Sequence, residues 1–289
     1  MPSAKEADAG AEKEAGVGAE TGTEAKEDLS KYLVNVKTVQ SGAIRILVES
    51  LKEILGDTNL IFDPSGLKLI ATDNSETVLI HMRLHAEKFE GFHCPKKVVI
   101  GVNMNNMFKL LKTMMNNDVL TMYIEAEHPN IIGFQINNSE KNSQTVFHMN
   151  LLDISDNEIT IPPVTFETEL SFPSGDFQKL IRDMTNIGDT IDIKSIGNTL
   201  LLNCQGDFAQ QETTLSENQD GLQFSITSNP ETPIQGVFSL KYLLLFTKCT
   251  NLCNQIHMYI KNDYPLIIRY DVANLGDIKM CLSPNVGTN

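Results

Sequence analysis

One fifteen-residue stretch of this chain occurs twice, as MYIEAEHPNIIGFQI from Met122 and as MYIKNDYPLIIRYDV from Met258, with six identical positions. The dipeptide Ser-Gly opens an amphipathic stretch in each half, at Ser41 and at Ser174, and Gly-Val precedes a second such stretch in each half. These matches come in the same order at nearly constant spacing, which indicates a duplicated domain. At 289 residues, the chain is long enough for two domains that each bury a core.

Each half alternates short strand-like runs with two amphipathic helices. Apolar residues at helical spacing predict helices over 41–55, 103–116, 174–187 and 239–250. The remaining runs are short and bounded by turn sequences such as DPSG, so we predict an α+β fold of two similar domains with large antiparallel sheets. The predicted divisions are an acidic tail at 1–33, a first domain at 34–150, a connecting loop at 151–165, a second domain at 166–285 and a C-terminal tail at 286–289.

The N-terminal tail and the loop between the two domains differ in composition. The N-terminal tail is almost entirely Ala, Gly, Glu, Lys and Thr, so it cannot bury enough apolar surface to fold, and we predict disorder. The loop LLDISDNEITIPPVTF ends in two prolines and should run extended over the surface. Its isoleucines, Ile154, Ile159 and Ile161, either form a docking site or pin the loop to the body of the protein.

Composition and motifs exclude several classes of protein. The chain has no run of eighteen apolar residues and no signal peptide, which predicts a soluble intracellular protein. Its five cysteines form no CxxC pair, and neither a nucleophile elbow, a phosphate-binding loop nor a dinucleotide fingerprint is present. We therefore expect no enzyme activity, no cofactor and no metal.

The distribution of charge favours a nucleic-acid partner although the whole chain carries −14. The four predicted helices hold eight basic and four acidic residues, a net +4, which leaves −18 for the rest. If all four helices share one surface, that surface is basic. It carries no aromatic side chains between its bases, so it suits phosphate contact rather than base stacking.

Several motifs resemble the sliding clamps of the proliferating cell nuclear antigen family, from Val39 to about Pro284. They include GVNMNNMFKLLK from Gly101, LLDI…IP from Leu151, FPSGDFQKLIRDMTNIGD from Phe172 and YPLIIRYDVANLGDIKMCLSP from Tyr264. The resemblance implies the DNA-clamp fold and a homotrimeric ring that encircles duplex DNA without regard to sequence. It also implies a processivity factor for DNA polymerase that a clamp loader places on DNA.

The resemblance assigns residues to three surfaces. The implied DNA-facing residues are Arg45, Lys52, Lys109, Lys112, Lys179, Arg182, Lys241 and Lys248. The implied subunit interface comprises Leu110, Phe147, Met149, Met184, Ile187 and Phe208. The implied pocket for partner peptides with a Gln-aliphatic-aromatic motif comprises Leu79, Ile159, Ile161, Pro162, Pro265, Leu282 and Pro284. The chain departs from the family pattern at Thr72, Phe166 and Cys281 in the pocket, and at Ile46 and Asn186 in the hole.

Two assemblies other than a homotrimer remain open. One is a subunit of a heterotrimeric checkpoint-type clamp, and the other is a viral processivity factor that binds DNA without closing a ring. The location follows the source. A cellular clamp would work in the nucleus, and one from a large DNA virus would work in the host nucleus or in a cytoplasmic replication factory.

Overall fold

The computed structural model describes residues 28–155 and 159–285. Within these ranges, nine strands and two α-helices follow one another in the same order in each half of the chain. The predicted α+β fold with two similar domains is confirmed.

The first half contains β1 (Tyr32–Thr38), α1 (Ser41–Leu51), β2 (Asp57–Asp63), β3 (Gly66–Thr72), β4 (Val78–His85), β5 (Gly91–His93), β6 (Val98–Asn103), α2 (Met104–Leu111), β7 (Val119–Glu125), β8 (Ile131–Asn138) and β9 (Ser143–Asn150). The second half contains β10 (Thr168–Pro173), α3 (Ser174–Thr185), β11 (Thr190–Ile196), β12 (Thr199–Gln205), β13 (Gln210–Ser216), β14 (Gln223–Ile226), β15 (Ile234–Ser239), α4 (Leu240–Phe246), β16 (Gln255–Ile260), β17 (Leu266–Val272) and β18 (Gly276–Leu282). A 3₁₀ turn, Thr247–Leu252, continues α4.

The strands form three antiparallel sheets, and the largest joins the two halves. Its order is β14-β10-β16-β17-β18-β4-β3-β2-β6, so β18 of the second half pairs with β4 of the first. The register runs from Gly276 opposite Leu84 to Leu282 opposite Val78. We call this pairing the internal junction.

The other two sheets each end in a strand with one unpaired side. The five-stranded sheet has the order β5-β1-β7-β8-β9, and the four-stranded sheet has the order β13-β12-β11-β15. These orders repeat, strand for strand, the two parts that meet at the internal junction. In the chain by itself, β9 and β13 are therefore the free counterparts of β18 and β4.

The helices form one continuous layer. We use the name helix layer for α1 to α4 together with the 3₁₀ turn Thr247–Leu252. Helix α1 packs on α2 and α3 packs on α4, while the 3₁₀ turn contacts both α1 and α3. Each helix buries one stripe in the core; in α3 this stripe is Phe177, Ile181 and Met184.

Side-chain hydrogen bonds add further links between the two halves. The hydroxyl of Tyr242 on α4 lies 2.9 Å from that of Ser75 and 3.3 Å from a carboxylate oxygen of Asp73, in the β3–β4 turn. The amide oxygen of Gln40 accepts from the backbone N–H of Asn274 at 3.0 Å. These bonds lie on either side of the internal junction and fix one half against the other.

The structure corrects several boundaries. The predicted tail ended at residue 33, but β1 begins at Tyr32. Strands β5 and β15 were not predicted, and α1 and α2 end at Leu51 and Leu111, short of the predicted residues 55 and 116. The predictions for residues 1–27 and 286–289 lie outside the described residues.

Candidate nucleic-acid and partner interfaces

The eight predicted DNA-facing bases all lie in the helix layer or in the turn after one of its helices, on the side away from the core. Arg45 and Lys52 are half-buried, and the other six are exposed. The fourth predicted helix is shorter than expected, so Lys248 lies in the 3₁₀ turn rather than in α4. The structure thus gathers bases from both halves onto one continuous surface.

Two of the eight bases are already paired with an acid. A carboxylate oxygen of Glu53 lies 2.5 Å from Nζ of Lys52 and 3.1 Å from Nζ of Lys248. These hydrogen bonds, first that from Lys52 and then that from Lys248, lower the pKa of Glu53. The Lys52 ammonium also lies 4.9 Å from the centre of the Phe108 ring. This cluster joins α1 to the 3₁₀ turn of the second half.

Arg45 is held more by packing than by charge. One of its terminal nitrogens donates to the side-chain oxygen of Asn116 at 3.3 Å, while its Nε is buried and has no hydrogen-bond partner among the described residues. A side chain at Gly42 would collide with Asn116, since a Cβ there would lie 2.7 Å from the same oxygen. Gly42 therefore leaves room for the side chain that orients Arg45.

The other bases point into solvent. Lys109 donates to the side chain of Asn106 at 3.3 Å. Lys112, Lys179, Arg182 and Lys241 form no ion pair with any residue in 28–155 or 159–285. Long, solvated cations of this kind can contact phosphates one at a time and exchange between them.

The two unpaired strands expose apolar side chains. Val146 on β9 is 40% exposed, and Phe208, just before β13, is 79% exposed. Among the other predicted interface residues, Leu110, Phe147, Met149 and Ile187 are half-buried. Met184 is fully buried within its own chain, which corrects its assignment to the contact surface, since it can support that surface only from beneath.

A cleft of about 340 Å³ lies beside β13, between that strand and α3. Leu180, Leu215 and Leu222 line its apolar wall, and Asp176 and Asp183 lie at its polar edge. An apolar cleft next to an unpaired strand offers a second element for a protein partner to cover.

The connecting loop is tied to the first domain at its start. The backbone N–H of Leu152 donates to the carbonyl of Gly101 on β6 at 2.8 Å, and Leu151 bonds to Asn130 in the same way at 2.9 Å. A Cβ on Gly101 would lie 2.3 Å from the Leu152 carbonyl oxygen, so this close approach requires glycine. Residues 156–158 of the loop lie outside the described residues.

An apolar row crosses the outer face of the largest sheet at the internal junction. Leu79 lies opposite both Thr72 and Cys281, and Ile267 lies opposite both Cys281 and Tyr259. We call these five residues the outer row. Sequence reasoning placed Leu79, Thr72 and Cys281 in the pocket but missed Ile267 and Tyr259, because the row becomes visible only when the register of the strands is known.

Aromatic rings extend the outer row towards the end of the connecting loop. The ring of Phe166 lies 5.3 Å from that of Tyr259 and 5.8 Å from that of Tyr264. Lys261 fixes this end of the loop by donating to the Thr165 carbonyl at 3.3 Å. Phe166, one of the positions where the chain departs from the family pattern, therefore still supplies an aromatic contact on this surface.

The remaining predicted pocket residues are dispersed. Pro265 and Pro284 are half-buried, and Ile161 and Pro162 are exposed. Leu282 is fully buried: it alternates with Cys281 along β18 and faces the core, so its assignment to the pocket is corrected.

Ile159 lines a cavity of about 270 Å³ between the connecting loop and strands β2 and β3, which adjoins the outer row at Thr72. Its other apolar walls are Ile61, Ile70 and Ile154. Sequence reasoning missed Ile61 and Ile70, although each is an apolar residue at an outward position of its strand.

Burial keeps two of the cysteine thiols protonated. Burial raises the pKa of Cys249 to about 12 and that of Cys281 to about 11, so neither thiol is activated as a nucleophile. The ranges 28–155 and 159–285 contain no cluster of His, Cys, Asp or Glu that could hold a metal ion. No helix in the same ranges is long and apolar enough to span a membrane.

Comparisons with known proteins identify relatives over nearly the whole chain. Sequence models of the N-terminal and C-terminal domains of proliferating cell nuclear antigen match residues 33–158 and 160–285. A protein of Paramecium bursaria Chlorella virus 1 named probable DNA polymerase sliding clamp 1 is 36% identical over 261 residues, which cover 89% of this chain and 98% of that relative. The proliferating cell nuclear antigen of Chaetomium thermophilum is 27% identical over 257 residues, which cover 88% of this chain and 99% of that relative.

Proposed function

The chain belongs to the proliferating cell nuclear antigen family of DNA sliding clamps, and from this premise we propose that three copies close into a ring around duplex DNA. The ring tethers a DNA polymerase to its template and is placed on DNA by a clamp loader. The ring acts where DNA is replicated, either in a nucleus or in a viral replication factory.

The observation that carries the proposal is the repetition of one strand pairing. Within each chain, β18 pairs with β4 at the internal junction, while their counterparts β9 and β13 each keep one edge unpaired. Gly276, the first residue of β18, lies opposite Leu84 at the internal junction. Its counterpart in the first half is Ser143, the first residue of β9. The counterpart of Leu84 is Leu215, because Leu84 pairs with Leu67 in the way that Leu215 pairs with Leu200.

Transferring this register to two neighbouring chains places Ser143 opposite Leu215 of the next chain, and therefore Phe147 opposite Gln211. The direction of the side chains supports this pairing. Phe147 lies opposite the buried Phe134 in its own sheet, and Gln211 lies opposite the buried Cys204 in its own. Both side chains consequently face the helix side, as a continuous sheet requires.

A head-to-tail contact of this kind uses two different surfaces of the chain and closes into a ring when its rotation permits. Ring closure also pairs the free edges of β9 and β13, which explains why Val146 and Phe208 can be apolar and exposed in the isolated chain. The same contact extends the helix layer from one chain to the next, so the basic surface lines the hole.

The charge of that surface suits sliding. Lysines and arginines that contact phosphate bind every sequence alike and release counterions, so the attraction is weak at physiological salt. Enclosure rather than affinity then keeps the ring on DNA. The eight bases act as transient phosphate contacts and read no bases.

Partner proteins dock on the outer row beside the connecting loop. A peptide with a glutamine, an aliphatic and paired aromatic residues can bury the last two against Leu79, Cys281 and Ile267, and can extend along the loop. The polymerase, the clamp loader and repair proteins would share this site. Large apolar anchors that enter a surface groove are the usual source of affinity for such short motifs.

Crosslinking tests the ring and its register together. Val146 and Glu212 lie directly opposite each other in the transferred register, within reach of a disulfide. We expect the double variant V146C/E212C to give, on oxidation, a closed covalent species of three chains. The control V146C/Q210C, displaced by two residues, should crosslink poorly.

The outcomes separate the possible assemblies. A ladder of growing oligomers would indicate an open filament. A chain that stays monomeric by light scattering at every concentration would refute the homotrimer and leave a mixed ring or a clamp that does not close.

A further inference from the structure

Glu53 lies between two of the DNA-facing lysines, which belong to different halves of the chain. Its side chain is 32% exposed, those of Lys52 and Lys248 are 18% and 43% exposed, and both ammonium groups contact the same carboxylate oxygen. Helix α1 has ended before this residue, and the turn that follows presents it to the 3₁₀ turn Thr247–Leu252. The cluster is therefore on the basic surface and within reach of DNA.

Among the described residues, 28–155 and 159–285, no other acid on the basic surface forms an ion pair with a DNA-facing base. Glu49, Asp176 and Asp183 lie on the same layer and form no ion pair there. At the pseudo-equivalent place after α3, the residue is Asn186 rather than an acid, while Lys112 corresponds to Lys248. The duplicated domain thus has a competing carboxylate at one of its two equivalent positions.

We propose that Glu53 is a determinant of DNA affinity that competes with phosphate for Lys52 and Lys248. This inference rests on the proposed function. In the absence of DNA, the carboxylate neutralises one of the two ammonium charges and orients both. A phosphate gains these contacts only by replacing Glu53, so they add less to binding than two free lysines would. Glu53 thereby lowers the affinity of the ring for DNA, so the ring can slide while both lysines are retained.

A matched pair of variants tests the proposal. E53Q and E49Q each remove one negative charge from the same surface, but only E53Q releases the two lysines. Binding of the full-length protein to a fluorescein-labelled duplex is measured by anisotropy over a series of salt concentrations. Each additional phosphate contact should increase the loss of affinity between 50 and 200 mM salt by about 3.5-fold, or about 12-fold for two contacts.

We expect E53Q to bind more tightly than E49Q at low salt and to show the steeper salt dependence. The triple variants E53Q/K52Q/K248Q and E49Q/K52Q/K248Q carry the same net charge and should bind DNA equally, because the two lysines that Glu53 holds are absent from both; a general change in surface charge would instead make E53Q and E49Q equal as well. Light scattering and thermal unfolding of each variant check that the assembly and fold are intact.

The results distinguish this inference from the function on which it rests. If the parent protein binds the duplex and E53Q behaves like E49Q, or binds more weakly, the role of Glu53 is refuted and the clamp function stands. If the parent protein shows no salt-dependent binding to DNA, both are refuted.

Discussion

Replacing Phe208 by alanine should break the ring without weakening the subunit. The side chain is 79% exposed in the isolated chain, so it contributes little to the fold of that chain. An aromatic side chain buries about 150–250 Å² on packing, at about 25 cal/mol per Å², so covering Phe208 contributes about 4 kcal/mol per interface. The alanine side chain retains part of this contribution, so F208A should lose about 3 kcal/mol of association free energy per interface.

The effect is multiplied because a closed trimer contains three such interfaces. A total loss of about 9 kcal/mol raises the dissociation constant from trimer to monomers by between six and seven orders of magnitude, at about 1.4 kcal/mol per tenfold. The concentration at half-dissociation varies as the square root of that constant, so it should rise about a thousandfold. Light scattering over a dilution series measures this midpoint directly.

Ile226, on the edge strand β14, supplies a matched control. It is another exposed apolar residue, but it lies at the far end of the largest sheet, away from β9 and β13. I226A should leave the midpoint unchanged. The thermal stability of dissociated F208A should equal that of the dissociated parent protein within about 0.5 kcal/mol. A midpoint that moves less than tenfold, or a subunit that unfolds, would refute the placement of Phe208 in the interface.

Three further expectations concern the outer surface and the turns. L79S should weaken binding of a fluorescent Gln-aliphatic-aromatic peptide at least about tenfold while Q210S, at the equivalent place on the other junction, leaves it unchanged. G101A should also weaken this peptide, because its methyl group displaces the start of the connecting loop; equal affinity would show that the loop start is not part of the site. Burial tends to raise the pKa of Asp63, but hydrogen bonds, led by that from Lys68, lower it to about 2, so its ionised form stabilises the fold above about pH 4 and this contribution is lost as the pH falls towards 2. D63N should therefore cost about 1 kcal/mol in urea unfolding at pH 7, and that cost should shrink towards pH 2.

Periodicity in the sequence predicted all four helices and most of the strands, but not the contacts between them. The spacing of Phe177, Ile181 and Met184 correctly predicts the buried stripe of α3. It also shows why Met184 could not belong to an interface, since one stripe cannot face both the core and a neighbour. Alternation along β18 likewise separates Cys281, which faces out, from Leu282, which faces in.

Other features depend on which elements meet in space. Glu53 and Lys248 are far apart in the chain, and only the packing of α1 on the 3₁₀ turn brings them into contact. Ile61 and Ile70 are neighbours of the connecting loop through the register of β2 and β3, which no local pattern specifies. The motifs that resemble known clamps therefore predict that the chain has these functional surfaces. Which residues belong to each surface becomes clear only from the folded structure.

The two junctions of the ring, similar in backbone, present different outer faces. At the internal junction the outer row runs through Leu79, Cys281 and Ile267. At the junction between chains, the transferred register places Gln210 of one chain opposite His148 of the next, and His148 lies opposite Gly133 within its own sheet.

This second row cannot bury apolar side chains, because it offers an amide, an imidazole and a bare glycine. The His148 ring is moreover held by a hydrogen bond of 3.1 Å to the hydroxyl of Tyr123. Six equivalent places in the ring should therefore supply only three partner sites, one at each internal junction. Calorimetric titration of the trimer with a motif peptide should saturate at one peptide per chain; two per chain would show that the polar row also binds and that the difference between the junctions does not set the number of sites.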